Sequence, residues 1–286
     1  MKLRILTAAW LLPLALCWMF LTEGNVFVAG ACILCVIAAQ EWGGFVGLKG
    51  AKSWLFAAVY AALVAGCCTS INPFCEADRQ LLAHHDALKM CFAAGCGWWI
   101  IAIIVVFGFP KSAIMIALKP FAWAAGMLTL IPFFFSIVWL HEANPSGLLP
   151  FATGGMNLFF AMLLVWCADT GAYFAGRAFG KHKMLEAVSP KKTMEGLAGG
   201  LLLSLAVAVG VSFAASGSVS LPVLGTAAAV SVIASVLGDL LESAFKRTAG
   251  IKDSGWILPG HGGVMDRVDS LTAALPVYSA IMIFAA

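Results

Sequence analysis

Nine apolar runs, each close to the 17 to 25 residues that an α-helix needs to cross a hydrocarbon core of about 30 Å, dominate this chain. They fall at 5–22, 26–40, 53–71, 90–109, 121–140, 148–168, 196–215, 221–238 and 270–286. Runs this long and unalternating do not suit barrel strands. Only helices otherwise satisfy every backbone polar group in lipid. The expected fold class is therefore all-α, a polytopic membrane protein with about nine transmembrane helices. Of the 286 residues 62% are hydrophobic and 11% charged, against roughly 45 to 50% and about 25% in soluble domains, which excludes a water-soluble fold.

Lys and Arg in short loops are retained in the cytoplasm. With the N-terminus inside, fifteen of the seventeen basic residues fall on the inner side, and only Arg79 and Lys89, in the outer loop 72–89, do not. The expectation is an N-terminus in the cytoplasm, a C-terminus outside and a bacterial-type inner membrane. The opening Met-Lys-Leu-Arg followed by an apolar run has the start of a signal peptide but no small-residue cleavage site, so it reads as the first span. Most of the nine cysteines lie inside apolar runs, where a buried small hydrophobe is the ordinary reading. Cys75, His84 and His85 in the outer loop read as a solvated loop.

The chain divides into N-terminal helices, 1–147, and a C-terminal region, 148–286, in which charge is confined to two segments, 169–195 and 239–269. No charge at all occurs in 196–238 or 270–286. Both segments are expected to be cytoplasmic loops. The first carries Asp169, Arg177, Lys181, Lys183, Lys191, Lys192 and Glu195. One reading of Ser189-Pro190 is a helix start in a topology-setting basic loop; the other is an anion site, where Lys and Arg hold phosphate and flanking glycines admit it. Asp169, expected at the end of a span, needs water, a cation or a ligand.

In the second segment Asp239 and Glu242 share a helix face at i, i+3, and Asp266 and Asp269 repeat that spacing at the start of the last helix. Between them stand Ser243, Lys246, Arg247, Lys252, Asp253, a Pro259-Gly260 turn and His261-Gly262-Gly263. Carboxylates without clustered His or Cys suit hard cations, and Mg²⁺ is commonly held by one or two carboxylates plus substrate phosphates. With bases and glycines beside them, they point to metal-assisted phosphoryl or nucleotidyl transfer at a membrane surface. Residue chemistry reaches no further than that class.

The run from Ser243 to Asp269, with Lys246-Arg247, Lys252-Asp253, Gly255, Pro259, His261-Gly262-Gly263 and Asp266-Arg267-Val-Asp269, resembles the signature of the phosphatidate cytidylyltransferase (CDP-diacylglycerol synthase) family. Asp169-Thr-Gly-Ala-Tyr and Ser189-Pro-Lys-Lys-Thr-Met-Glu-Gly resemble a second element of it, with Met194 where Trp is common. The resemblance covers roughly residues 148 to 286, and residues 1 to 140 match only in being hydrophobic and multispanning. It implies that CTP and phosphatidate give CDP-diacylglycerol and pyrophosphate, that Mg²⁺ is required with a second cation compatible, that the partners are membrane lipid and a second copy in a homodimer, and that nucleic acid is not among them. On this resemblance Asp239, Asp266 and Asp269 are metal ligands, with Glu242 and Asp169 as weaker ones. Lys252 is placed with the three aspartates as catalytic. Lys191, Lys192, Ser243, Lys246, Arg247, His261, Gly262, Gly263 and Arg267 are assigned to substrate. Two alternatives fit less well: a polyprenyl-phosphate sugar-phosphate transferase, which lacks this signature, and an ion-coupled transporter, against which the uncharged stretch 196–238 argues.

Overall fold

The computed structural model describes residues 2–73, 86–142, 154–214, 220–260 and 262–285. Its helices are α1 (Lys2–Leu21), α2 (Gly24–Phe45), α3 (Trp54–Cys67, preceded by a 3₁₀ turn Gly50–Ser53), α4 (Asp86–Phe107), the short α5 (Ala113–Ala117), α6 (Lys119–Glu142), α7 (Gly154–Phe179), α8 (Met194–Ala214), α9 (Leu221–Ala249) and α10 (Met265–Ala285). A two-stranded antiparallel hairpin, β1 (Lys183–Leu185) and β2 (Ser189–Thr193), joins α7 to α8. Among the described residues eight helical stretches are long and apolar enough to cross a bilayer, the second comprising the 3₁₀ turn and α3, and α1 adds the apolar stretch Ala9–Leu21. Each of the nine expected runs is thus one helical segment of an all-α membrane protein.

The C-terminal helix α10 is the centre of the bundle, packing on α9 and also on α6, α4, α7 and α2. Trp42, Phe133, Phe134, Trp139 and Tyr278 are among the large side chains buried there. By contrast α7 and α8 pack mainly on each other through small residues. A Cβ on Gly171 would fall 3.0 Å from the Gly199 carbonyl carbon, and one on Gly200 would strike the Ala168 carbonyl. Such backbone-to-backbone approach is how small residues hold membrane helices together where lipid removes the hydrophobic drive.

The limits of the helices explain where the charged side chains end up. α9 starts at Ser220, whose hydroxyl accepts from Val223 N at 3.4 Å, with a proline in its first turn. It stops at Gly250, which adopts φ 69° while Gly250 N and Ile251 N donate to the Arg247 and Lys246 carbonyls, a left-handed helix stop. Lys246 and Arg247 therefore occupy the last turn, where cations complement the helix dipole. α7 departs from expectation: Asp169 does not end it, because the Gly- and Ala-rich turns that follow continue against α8 as far as Phe179. Ser189-Pro190 does not start a helix either. Ser189–Thr193 pairs with β1, and α8 begins at Met194 with Thr193 Oγ1 accepting from Gly196 N at 3.1 Å. Sequence alone does not separate the two starts, since a hydroxyl residue precedes both. The hairpin is tied to α8 by Glu195, which accepts from Lys181 N and His182 N and contacts His182 Nδ1 at 2.5 Å.

Contacts also establish which ends of the helices lie together. Thr7, near the start of α1, donates to the Pro259 carbonyl at 2.9 Å, and Glu41, near the end of α2, accepts from Val264 N at 3.0 Å. With Lys192 of the hairpin 2.7 Å from Asp239 on α9, the start of α1, the end of α2, the hairpin and the α9–α10 loop share one end of the bundle.

Candidate active site

Thirty positions separate Asp239 from Asp269, and three devices bring the chain back between them. The first is the contact of α9 with α10. A Cβ on Gly238 would fall on the Asp269 carbonyl oxygen and lie 3.2 Å from Ala273 Cβ, so glycine there lets the two helices meet at the acids. The second is Lys246, whose ammonium lies 2.6 Å from Glu242 Oε2 on its own helix and 2.8 Å from Asp266 Oδ1 on α10. All three side chains are largely buried, at 17% exposure for Lys246, 1% for Glu242 and 5% for Asp266. One shared cation thus fastens two elements in a place where an unpaired charge would be costly.

The third device is the loop itself. Asp266 Oδ2 accepts from Ser254 N at 2.9 Å, Ser254 Oγ at 2.9 Å and Gly263 N at 2.8 Å, folding both arms of the loop onto one carboxylate. Gly262 holds φ 82° beside it, and a Cβ there would meet Asp266 Oδ2 at 2.5 Å; the Gly-Gly pair is a structural necessity of this turn. His261 lies outside the described residues, as do residues 74–85, which hold most of the loop 72–89 with its Cys75, His84 and His85.

Asp239 points toward the hairpin. Its Oδ2 is 2.7 Å from Lys192 Nζ, and its Oδ1 accepts from Ser243 Oγ at 3.2 Å. Asp169, on α7, lies within electrostatic reach of both Lys192 and Asp239, and Asp269 within reach of Asp239. The structure therefore gathers Asp169, Lys192, Asp239, Glu242, Lys246, Asp266 and Asp269 from both charged segments at one end of the bundle. Side chains alternate along a strand, so Lys191 is left exposed while Lys192 turns to the acids. Arg267 is exposed in the first turn of α10.

Two clefts flank these acids. One, of about 560 Å³, is lined by Ser243, Lys246, Arg247, Gly250, Ile251 and Lys252, a lining whose cationic and hydroxyl donors suit phosphate oxygens. The other, of about 220 Å³, lies between α7 and the hairpin, with Asp169, Tyr173, Lys191 and Lys192 as its polar lining and Met184, Leu197 and Val236 as its apolar one. Basic groups beside apolar surface suit the phosphate of a lipid.

Among the described residues no three carboxylate, thiol or imidazole groups converge closely enough to hold a metal ion by themselves. The donor set nevertheless fits a hard cation. Glu242 Oε1 is buried with no amide, hydroxyl or ammonium donor on it, beside the Asp269 carboxylate, and oxygen donors in ones and twos are what Mg²⁺ takes from a protein when phosphates supply the rest.

Glu41 escaped the sequence reading. Its run stopped at residue 40, one short of an acid that α2 carries inward and buries at 3% exposure. The available signal was an acid inside helix-forming sequence with no Lys or Arg three or four residues to either side.

A model of the cytidylyltransferase family matches residues 2–285. Phosphatidate cytidylyltransferase of Haemophilus influenzae is 35% identical over 295 residues, covering 99% of both chains. That of Pseudomonas aeruginosa is 38% identical over 285 residues, covering 99% of this chain and 97% of the relative. The similarity therefore extends through the N-terminal helices, and the expected limit near residue 148 is corrected: motifs dense in polar residues are legible by eye, whereas similarity spread through apolar helices is not.

Proposed function

The chain belongs to the cytidylyltransferase family, and from that premise we propose that it transfers the cytidylyl group of CTP to phosphatidate, giving CDP-diacylglycerol and pyrophosphate. The observation that carries this reading is full-length similarity to two phosphatidate cytidylyltransferases combined with a cationic cleft next to a group of acids. Phosphatidate has a second phosphate pKa of about 6, so its attacking oxygen is anionic at pH 7 and needs no strong general base. The oxygen bonds to the α-phosphorus of CTP, the bond to the bridging oxygen of pyrophosphate breaks, and no net proton transfer to the protein is required. The protein's task is to bring two polyanions together.

Arg247 and Lys252, with Ser243 and the glycines of the loop, hold the triphosphate in the larger cleft. Lys191, Lys192 and the apolar wall of the smaller cleft receive the lipid phosphate, Arg267 orients phosphate oxygens from the first turn of α10, and His261 is assigned to phosphate as well. Asp239 and Asp269 would hold Mg²⁺, with Glu242 and Asp169 behind them. A bound Mg²⁺ supplies neutralisation of the phosphate charge that grows toward the transition state. Asp266, both of whose oxygens are taken by Lys246, Ser254 and Gly263, contributes by keeping the loop folded. Residues 148–286 thus carry the chemistry in this reading and 1–147 the scaffold. The enzyme is placed in an inner membrane with the site toward the cytoplasm, as a homodimer.

Incorporation of labelled CTP into lipid by the purified protein, dependent on phosphatidate and abolished by EDTA, tests the reaction; no label in lipid with phosphatidate and Mg²⁺ present would overturn it. Sedimentation in detergent tests the dimer. For sidedness, in a cysteine-free background, a thiol introduced by Lys183→Cys is expected to react with impermeant reagents only from the cytoplasm, and one introduced by His84→Cys only from outside. Reaction of both from one face would refute the assigned orientation.

The two hairpin lysines are expected to differ. Lys192→Ala leaves Asp239 without its ammonium and should weaken apparent substrate binding by about 1 to 3 kcal/mol, the scale of charge-assisted hydrogen bonds. Lys191→Ala, which breaks no ion pair, should act at the low end of that range. Steady-state kinetics in mixed micelles measures both, and unchanged kinetics in each would return the hairpin to a topology signal.

A further inference from the structure

We infer that Glu41, in the N-terminal half, is a positioning residue for transfer at the α9–α10 site. Its carboxylate reaches from α2 to the opposite end of the sequence. Oε1 accepts from Val264 N at 3.0 Å, and Oε2 accepts from Met265 N at 2.7 Å and lies 3.1 Å from Ser254 Oγ, whose single proton it shares with Asp266 Oδ2. Val264 and Met265 are where the loop becomes α10, so Glu41 occupies the place of a helix cap supplied from another element. The first turn of any helix has backbone N–H groups without intrahelical acceptors, and an anion there also complements the dipole. Cap and captured helix are more than 220 residues apart, as the spacing of Glu41 and Met265 shows.

The contact is built to close tolerance. A Cβ on Gly255 or on Gly263 would fall on the Glu41 carboxylate, so both arms of the loop approach it at glycine. Among the described residues no Lys or Arg pairs with it; two backbone amides, and the Ser254 hydroxyl whose one proton lies between Glu41 and Asp266, are its donors. From Glu41 the polar chain is continuous. Ser254 Oγ also meets Asp266 Oδ2 at 2.9 Å, Asp266 Oδ1 meets Lys246, and Lys246 meets Glu242, which borders Asp269. Asp269 itself is one helical turn past the capped end. The angle at which α10 enters the site, and with it the placing of Asp269 against Asp239, is set by the Glu41 clamp, and displacement of such a group by about an ångström is enough to cost large factors in rate.

The role of this residue in turnover rests on the cytidylyl-transfer reading; the clamp does not. Full-length Glu41→Gln and Glu41→Asp proteins in detergent separate the two. An amide can turn only one oxygen to the loop, and its NH₂ group then opposes a backbone N–H. Amide hydrogen exchange of the peptide spanning 262–268 is therefore expected to quicken in Glu41→Gln relative to wild type, while peptides of α4 exchange as before. In the fraction that elutes at wild-type size, kcat should fall roughly tenfold to a hundredfold and the Mg²⁺ concentration for half-activation should rise. Glu41→Asp, which keeps both acceptors on a shorter arm, should fall between. Unchanged exchange would overturn the clamp. Quickened exchange with wild-type kcat and Mg²⁺ dependence in the folded fraction would overturn the positioning role and leave Glu41 as a stabilising cap. A wild-type protein that transfers nothing from CTP would fail the functional reading while leaving the exchange result to stand.

Discussion

Asp269→Asn should lower CTP-dependent turnover by a hundredfold or more, on the order of 3 kcal/mol in activation free energy, with expression and detergent-solubilised size unchanged. The substitution keeps the shape of the side chain and the acceptor that Ser270 N uses at 2.7 Å. It removes one negative charge next to Asp239, so the folded protein is relieved of repulsion there while giving up the attraction of Lys246. What it loses for the reaction is an anionic ligand for Mg²⁺, and phosphoryl charge is then poorly neutralised in the transition state. Added Mg²⁺ should restore part of the rate if affinity is reduced, and little if the geometry of the ion is altered. A variant that turns over CTP at nearly the wild-type rate would take Asp269 out of the mechanism.

Lys246→Met carries the opposite signature, a loss of stability first. Methionine fills the volume but leaves Glu242 and Asp266, at 1% and 5% side-chain exposure, as buried carboxylates with no cation between them. Removing one partner of a buried ion pair costs about 3 to 5 kcal/mol. A large fall in the thermal midpoint in detergent is therefore expected. The double variant Lys246→Met/Glu242→Gln should recover part of that fall, since it deletes one of the stranded charges. If the double variant is no more stable than the single one, the triad is not what holds α9 to α10.

The membrane architecture was legible because hydrocarbon thickness imposes a length on every span and excludes charge from it, two properties that a single sequence displays. The pairs Asp239/Glu242 and Asp266/Asp269 were legible for a related reason, as helical spacing alone puts each pair on one face. Other features depend on neighbours far away in the chain. Ser189-Pro190 satisfies the rules for a helix start and loses to Thr193 because β1 is available to pair with β2. The continuation of α7 past Asp169 depends on α8 presenting Gly196, Gly199 and Gly200 as a surface. Which of the polar groups in the signature also hold one another is likewise a tertiary matter: Lys246 and Asp266 read as ligands for phosphate and metal, and in the fold they form an ion pair with Lys246 still in the lining of the larger cleft. Glu41 is the extreme case, an acid whose partners are an amide-rich loop at the other end of the chain.

α9 is also a ruler. At about 1.5 Å per residue, the eighteen steps from Leu221 to Asp239 along this 29-residue helix span roughly 27 Å, and the hydrocarbon core of a bilayer is about 30 Å thick. With Leu221 at one surface of the hydrocarbon, Asp239, and Asp269 within electrostatic reach of it, would come to the level where acyl chains end and phosphates begin. A lipid substrate on this reading need not be lifted from its leaflet, because the depth of the reaction plane is written into the number of residues between one surface and the acids. A bilayer several ångströms thicker would submerge that plane and a thinner one would raise it, so the choice of lipid around the enzyme becomes a handle on its rate that no change of side chain is needed to turn.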